Sequence, residues 1–183
     1  MRSTRALAWA LLVLMTPLAA QRGMPSRGEI VAMERSFDSR LQRFSVDSPM
    51  ELLGTTRGLY LPTYGAVFTA EVNLVMVPGL SPFRPALSKD DIARIRAAKL
   101  KRLPELKTMM REMLLTSAGS LDRLPLDEQM VLGVSLFYNS WEESSGMPRV
   151  ITMQAHKRSL LDVATNRMAR TSLDSIIQVR EEQ

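Results

Sequence analysis

One histidine, no cysteine and one carboxylate set in the middle of an apolar run are what this 183-residue chain offers to chemistry. A structural zinc site needs four thiolate or imidazole ligands, and His156 is the single candidate. Hard cations take oxygen ligands, but Asp122, Asp127 and Glu128 are interrupted by Pro125 and no calcium-loop spacing occurs. Nucleophilic catalysis would pair His156 with Ser159, three residues on, yet no Gly-x-Ser-x-Gly elbow accompanies them. His156 therefore reads as a surface or strand-end residue. Glu71 could serve as a general acid, but two-carboxylate chemistry needs a second carboxylate nearby and the sequence places none there. The simpler expectation is a solvated Glu71 paired across a sheet with a basic residue. Gly54, Gly58 and Gly65 are spaced for turns and make no phosphate loop. No metal, no cofactor and no catalytic residue is expected.

Binding has more candidates. Tyr60, Tyr64, Phe83 and Trp141 fall in or beside predicted loops, where exposed aromatics make good contacts. Tyr64 and Trp141 could equally fold back over the ends of a sheet. Lys89, Arg94, Arg96, Lys99, Lys101, Arg102, Lys107 and Arg111 crowd one predicted helix, with Arg94 and Lys101 the candidate contacts for an anionic lipid headgroup or an acidic partner. A solvated helix face explains the same charges. Met109, Met110 and Met113 could line a soft groove, but their helical spacing favours a place in the core.

These residues need elements to hold them. From Ala66 onward the chain alternates, Ala66, Phe68, Ala70, Val72, Leu74 and Met76 against Val67, Thr69, Glu71, Asn73 and Val75, as a strand with one face on a core does. Pro62-Thr63-Tyr64-Gly65 precedes it, and a hairpin with Gly58–Leu61 is favoured over one long bulged strand. Ile30, Met33, Phe37, Leu41 and Phe44 predict an amphipathic helix over Glu29 to Phe44. Ser48, Pro49 and Gly54 predict a short helical turn.

Three prolines in Pro78–Pro85 close the strand, and Ser88 with Asp91 caps a helix to about Ser117. Lys99 and Arg102 fall on that helix's apolar stripe, so either Pro104 resets the phase or both side chains snorkel out. Gln129–Tyr138 and Val150–His156 predict a second hairpin across the loop Asn139–Arg149. A helix follows from Lys157, and Leu173–Val179 is ambiguous between helix and strand. The expected fold is α+β, an antiparallel sheet of about four or five strands with helices packed on one face.

Arg2 and Arg5, an apolar run from Ala6 to Met15 and small residues up to Ala20 read as a signal peptide over residues 1–20, with an uncleaved anchor as the competitor. Residues 21–27 read as a flexible lead-in and 28–183 as one domain. Without Arg2 and Arg5, 22 basic residues face 19 acidic ones, which is too mild an excess to suggest nucleic acid. The absence of cysteine rules out disulfides and cysteine-linked lipid.

The run Gly58-Leu59-Tyr60-Leu61-Pro62-Thr63-Tyr64-Gly65-Ala66-Val67-Phe68, the connector Leu124-Pro125-Leu126-Asp127-Glu128 and the strand closing on Lys157 and Arg158 resemble a family of exported, uncharacterised bacterial proteins. That resemblance spans most of the chain after the leader and implies no activity. The expectation is a periplasmic or extracellular, non-enzymatic domain that binds a protein or envelope component. A carboxylate-dependent hydrolase around Glu71 and a peripheral membrane-surface protein using the basic helix 89–111 are the alternatives.

Overall fold

The computed structural model describes residues 23–44, 50–76 and 87–183. The predicted leader, the turn at 47–49, the Pro78–Pro85 segment and Phe83 lie outside them. Helix α1 spans Arg27–Gln42, with Ser26 and Glu29 forming a reciprocal capping box. It starts two residues earlier than the apolar spacing suggested, so the end of the expected lead-in is helix cap and first turn. Strands β1 (Glu51–Leu52), β2 (Arg57–Leu61) and β3 (Gly65–Asn73) follow, then α2 (Lys89–Ala118), β4 (Gln129–Leu136), β5 (Val150–His156), α3 (Lys157–Ala164), α4 (Leu173–Ile176) and β6 (Gln178–Glu182).

The fold is α+β, as expected, and its six strands form one sheet in the order β1-β3-β4-β5-β6, with β2 pairing β3 beside β1. The sheet is mixed. β3 and β4 pair in parallel from Gly65↔Gln129 to Val72↔Leu136, whereas every other pair is antiparallel. A parallel pair needs a long crossover, and the 30 residues of α2 supply it. The predicted helical turn near Pro49 gives way at Glu51–Leu52 to a strand, because those backbones pair with Asn73 and Val72. The hairpin reading of β2 and β3 holds. The ambiguous 173–179 segment contains both structures, one helical turn and then the start of the edge strand β6.

The core lies on one side of the sheet. Ala66, Phe68, Ala70 and Val72 of β3, Met130, Leu132 and Val134 of β4, and Ile151 and Met153 of β5 meet Phe37 of α1, Leu106, Met110 and Met113 of α2 and Leu160 of α3. Phe37 and Phe68 meet edge to face, their centroids 5.0 Å apart at 84°. Each such ring removed from water contributes roughly 1.5–3 kcal/mol. Met110 and Met113 are buried, as their spacing predicted.

Helix α2 runs unbroken through Pro104, and both explanations offered for Lys99 and Arg102 fail. Neither side chain snorkels; both are buried, Lys99 to 1% exposure. Lys99 reaches Glu142 Oε2 at 2.6 Å and Phe137 O at 3.0 Å, and Arg102 donates to Leu74 O. Buried cations on an apolar stripe are tolerated because acceptors from the far end of the sheet come to meet them.

The outer side of β2 is sealed by α1. Gly58 N donates to Glu34 Oε1 at 2.7 Å, Gly58 O accepts from Arg27 Nη1 at 3.0 Å, and Thr56 N donates to Asp38 Oδ1 at 2.7 Å. The approach demands glycine, since a Cβ at position 58 would lie 2.6 Å from Ile30 Cγ2. Helix side chains here take the place of a further strand.

Candidate functional site

With all three longer helices on one face, the other face of the sheet is bare among the described residues. Register places its side chains in rows across the strands. One row reads Arg57, Thr69, Gly133, Thr152, Arg180. The next row toward the hairpin turn reads Leu59, Val67, Val131, Gln154, Gln178, and the row on the other side carries Glu71, Ser135, Val150 and Glu182. At ~4.8 Å between strands, Arg57 and Arg180 stand about 19 Å apart at the two ends of their row.

The middle of the face is low because its side chains are small. Gly133 has no side chain, and an added Cβ would make only ordinary contacts, the nearest at 3.7 Å to Thr69 Cγ2. A shallow depression lies on each side of it. Leu53, Thr55, Arg57, Thr69, Glu71 and Ser135 line one of about 280 Å³, and Thr152, Gln154, Gln178, Arg180 and Glu182 line one of about 310 Å³. Each holds one arginine and one glutamate. Toward the hairpin the face turns apolar, with Leu59 58% and Leu61 40% exposed, while Val131 is 6% exposed beneath its neighbours.

The turn between β2 and β3 is fixed. Thr63 sits at φ 69° with its N–H 3.2 Å from Glu128 Oε1, which also accepts from Tyr60 Oη at 3.1 Å. Gly65 lies so close to β4 that a Cβ there would be 1.9 Å from Gln129 O, at a φ of 141°. Glu128 Oε2 is buried without a hydrogen-bond partner among the described residues. Lys157, also buried, donates to Leu121 O at 2.6 Å, Leu124 O at 2.7 Å and Asp122 O at 3.1 Å, and burial holds its ammonium below the usual lysine range.

The structure separates the sequence-predicted residues. Tyr64 is exposed at the turn, and Tyr60 is half-buried on the helix side with its hydroxyl on Glu128. Trp141 is half-buried in the 139–149 loop, at the far end of the sheet. Arg94 and Lys101 are exposed on α2, where Arg94 is engaged by Asp91. Of the eight basic residues on this helix, Arg96 binds Glu143 O and Ser145 O, Lys107 pairs with Glu181 and Arg111 with Asp174, in addition to Arg94, Lys99 and Arg102. Most of its charge is thus spent within the domain.

Glu71 is exposed on the bare face, and no second carboxylate lines its depression. His156 ends β5, with Nδ1 3.1 Å from Asp127 O and its ring beside Gln129 Nε2. Among the described residues no group of His, Asp and Glu is arranged to hold a metal, and no helix is long and apolar enough to cross a membrane. Arg57, Leu59, Gly133 and Arg180 were not singled out from the sequence. Their signal was their place in the half of each strand's alternation opposite the core residues, which says which side is outward without saying that nothing covers it. Compared with protein-family models, curated proteins and solved structures, the chain matches none.

Proposed function

We propose that the chain is an exported, non-enzymatic domain that binds another protein through the bare face of its sheet. The observation that supports this is the asymmetry of the sheet: the helices gather on one side, and the other offers exposed Leu59 and Leu61 beside the small-residue trough and its charges of both signs. An apolar patch bordered by polar and charged groups has the composition of a protein contact surface. The leader-like residues 1–20 support export. The partner segment that fits carries apolar side chains toward the hairpin end and charges of both signs over the two depressions.

A photo-crosslinking amino acid placed at Thr69 or Thr152, and for comparison at Lys101 on the helix side, tests the assignment in intact cells. A discrete adduct is expected from Thr69 and Thr152, and Leu59→Arg should abolish it. No adduct from the sheet positions, or equal yield from position 101, would overturn the reading.

A further inference from the structure

The two edges of the sheet are treated differently. On the β2 side α1 supplies hydrogen-bond partners to the outward backbone of Thr56 and Gly58. On the other side β6 is exposed along its whole length, and no described element covers its outer edge. An open edge is a template for another strand, and charged side chains commonly guard it. Here the charges have an arrangement that a guard does not require.

Arg180 and Glu182 lie on the same face of β6, opposite Thr152 and Val150, and neither makes an ion pair among the described residues. Glu181, on the helix side, is instead matched by Lys107 at 2.5 Å. We propose that β6 pairs antiparallel with β6 of a second copy, about a two-fold axis through Glu181. In this register Arg180 of each copy stands opposite Glu182 of the other, giving two equivalent ion pairs on the bare face. Glu181 meets its own copy, each already neutralised by Lys107. Moving the axis to Arg180 would set the two arginines opposite each other, so charge selects one of the two neighbouring in-face registers. The product is a continuous twelve-stranded sheet, twice the six strands of one copy, with both bare faces on the same side.

Sedimentation equilibrium of the protein from micromolar to millimolar concentration tests this. The wild-type chain should form a reversible dimer. Arg180→Glu and Glu182→Arg should each weaken dimerisation about tenfold or more, since two opposed pairs change from attraction to repulsion. An equimolar mixture of the two variants should dimerise again, and so should the double variant carrying both changes. Circular dichroism melts at concentrations where the wild-type chain is monomeric should be unchanged, because both side chains are exposed. A wild-type protein that stays monomeric at millimolar concentration, single reversals without effect, or a mixture that fails to associate would each overturn the proposal.

Discussion

Lys99 and Lys157 are both ammonium groups buried in this domain, and the protein accommodates them in opposite ways. Lys99 meets a carboxylate, Glu142, whose other oxygen accepts from Asn139 N at 3.0 Å and Asn139 Nδ2 at 2.8 Å. It also lies 4.7 Å above the Tyr138 ring. Lys157 has only carbonyls, three of them, at the turn after α2. The first is a neutral pair joining a helix to a distant loop; the second is a cation held by carbonyls at a turn, with no ion pair among the described residues. Removing one member of a pair strands the other charge, whereas removing the carbonyl-bound cation strands dipoles. The same residue type thus carries two different penalties.

Substitutions can break that contrast. Lys99→Met should be the most damaging, costing about 3–5 kcal/mol in urea denaturation because Glu142 is left buried and uncompensated. Adding Glu142→Leu should recover much of the loss, and a double variant no better than the single would refute the pair as the cause. Lys157→Met should cost less, about 1–3 kcal/mol, the penalty of carbonyls left without donors. Its pH dependence sharpens the comparison. The folded-state pKa of Lys157 lies below that of the unfolded chain, so between that depressed value and the ordinary lysine value of 10.5 the unfolded state binds more protons. Wild-type stability should therefore rise with pH through that window relative to Lys157→Met, and a falling difference would contradict it.

Tyr138 comes next. Its hydroxyl donates to Pro148 O at 2.9 Å, and burial followed by the Glu142 charge pushes its pKa up from 10.0 to about 12. Tyr138→Phe should cost about 1 kcal/mol and remove the phenolate absorbance step near pH 12. The stabilisation linked to this group is complete below pH 10 and lost as the pH approaches 12. Smallest of all is Glu143→Gln. Arg96 and Glu143 are 3.6 Å apart at the surface, so the change should be worth about 0–1 kcal/mol and vanish in high salt.

The contrast also marks what could be read in advance. The Ser88–Asp91 box, the apolar alternation of β3 and β5 and the methionines of α2 are local patterns, and each identified its element. Lys99 was visible as a charge on the wrong stripe, but its remedy comes from Glu142, beyond a strand and a turn. The partner of Lys157 is a set of carbonyls, which any sequence supplies. Parallel pairing of β3 with β4 escaped for a related reason: side-chain alternation is the same in either direction, and only the path of α2 decides. The candidate face was half legible. Thr69 and Glu71 marked an outward side, while its emptiness depends on where three separate helices settle.

The seal that α1 places on β2 has a kinetic consequence. The amide protons of Thr56 and Gly58 are held by carboxylates from a helix, not by a neighbouring strand. Their exchange with deuterium reports undocking of α1, whereas the β3 amides bonded to β4 exchange only when the sheet parts. Two residues on one edge therefore provide a built-in gauge of how independently the first helix opens from the sheet it covers.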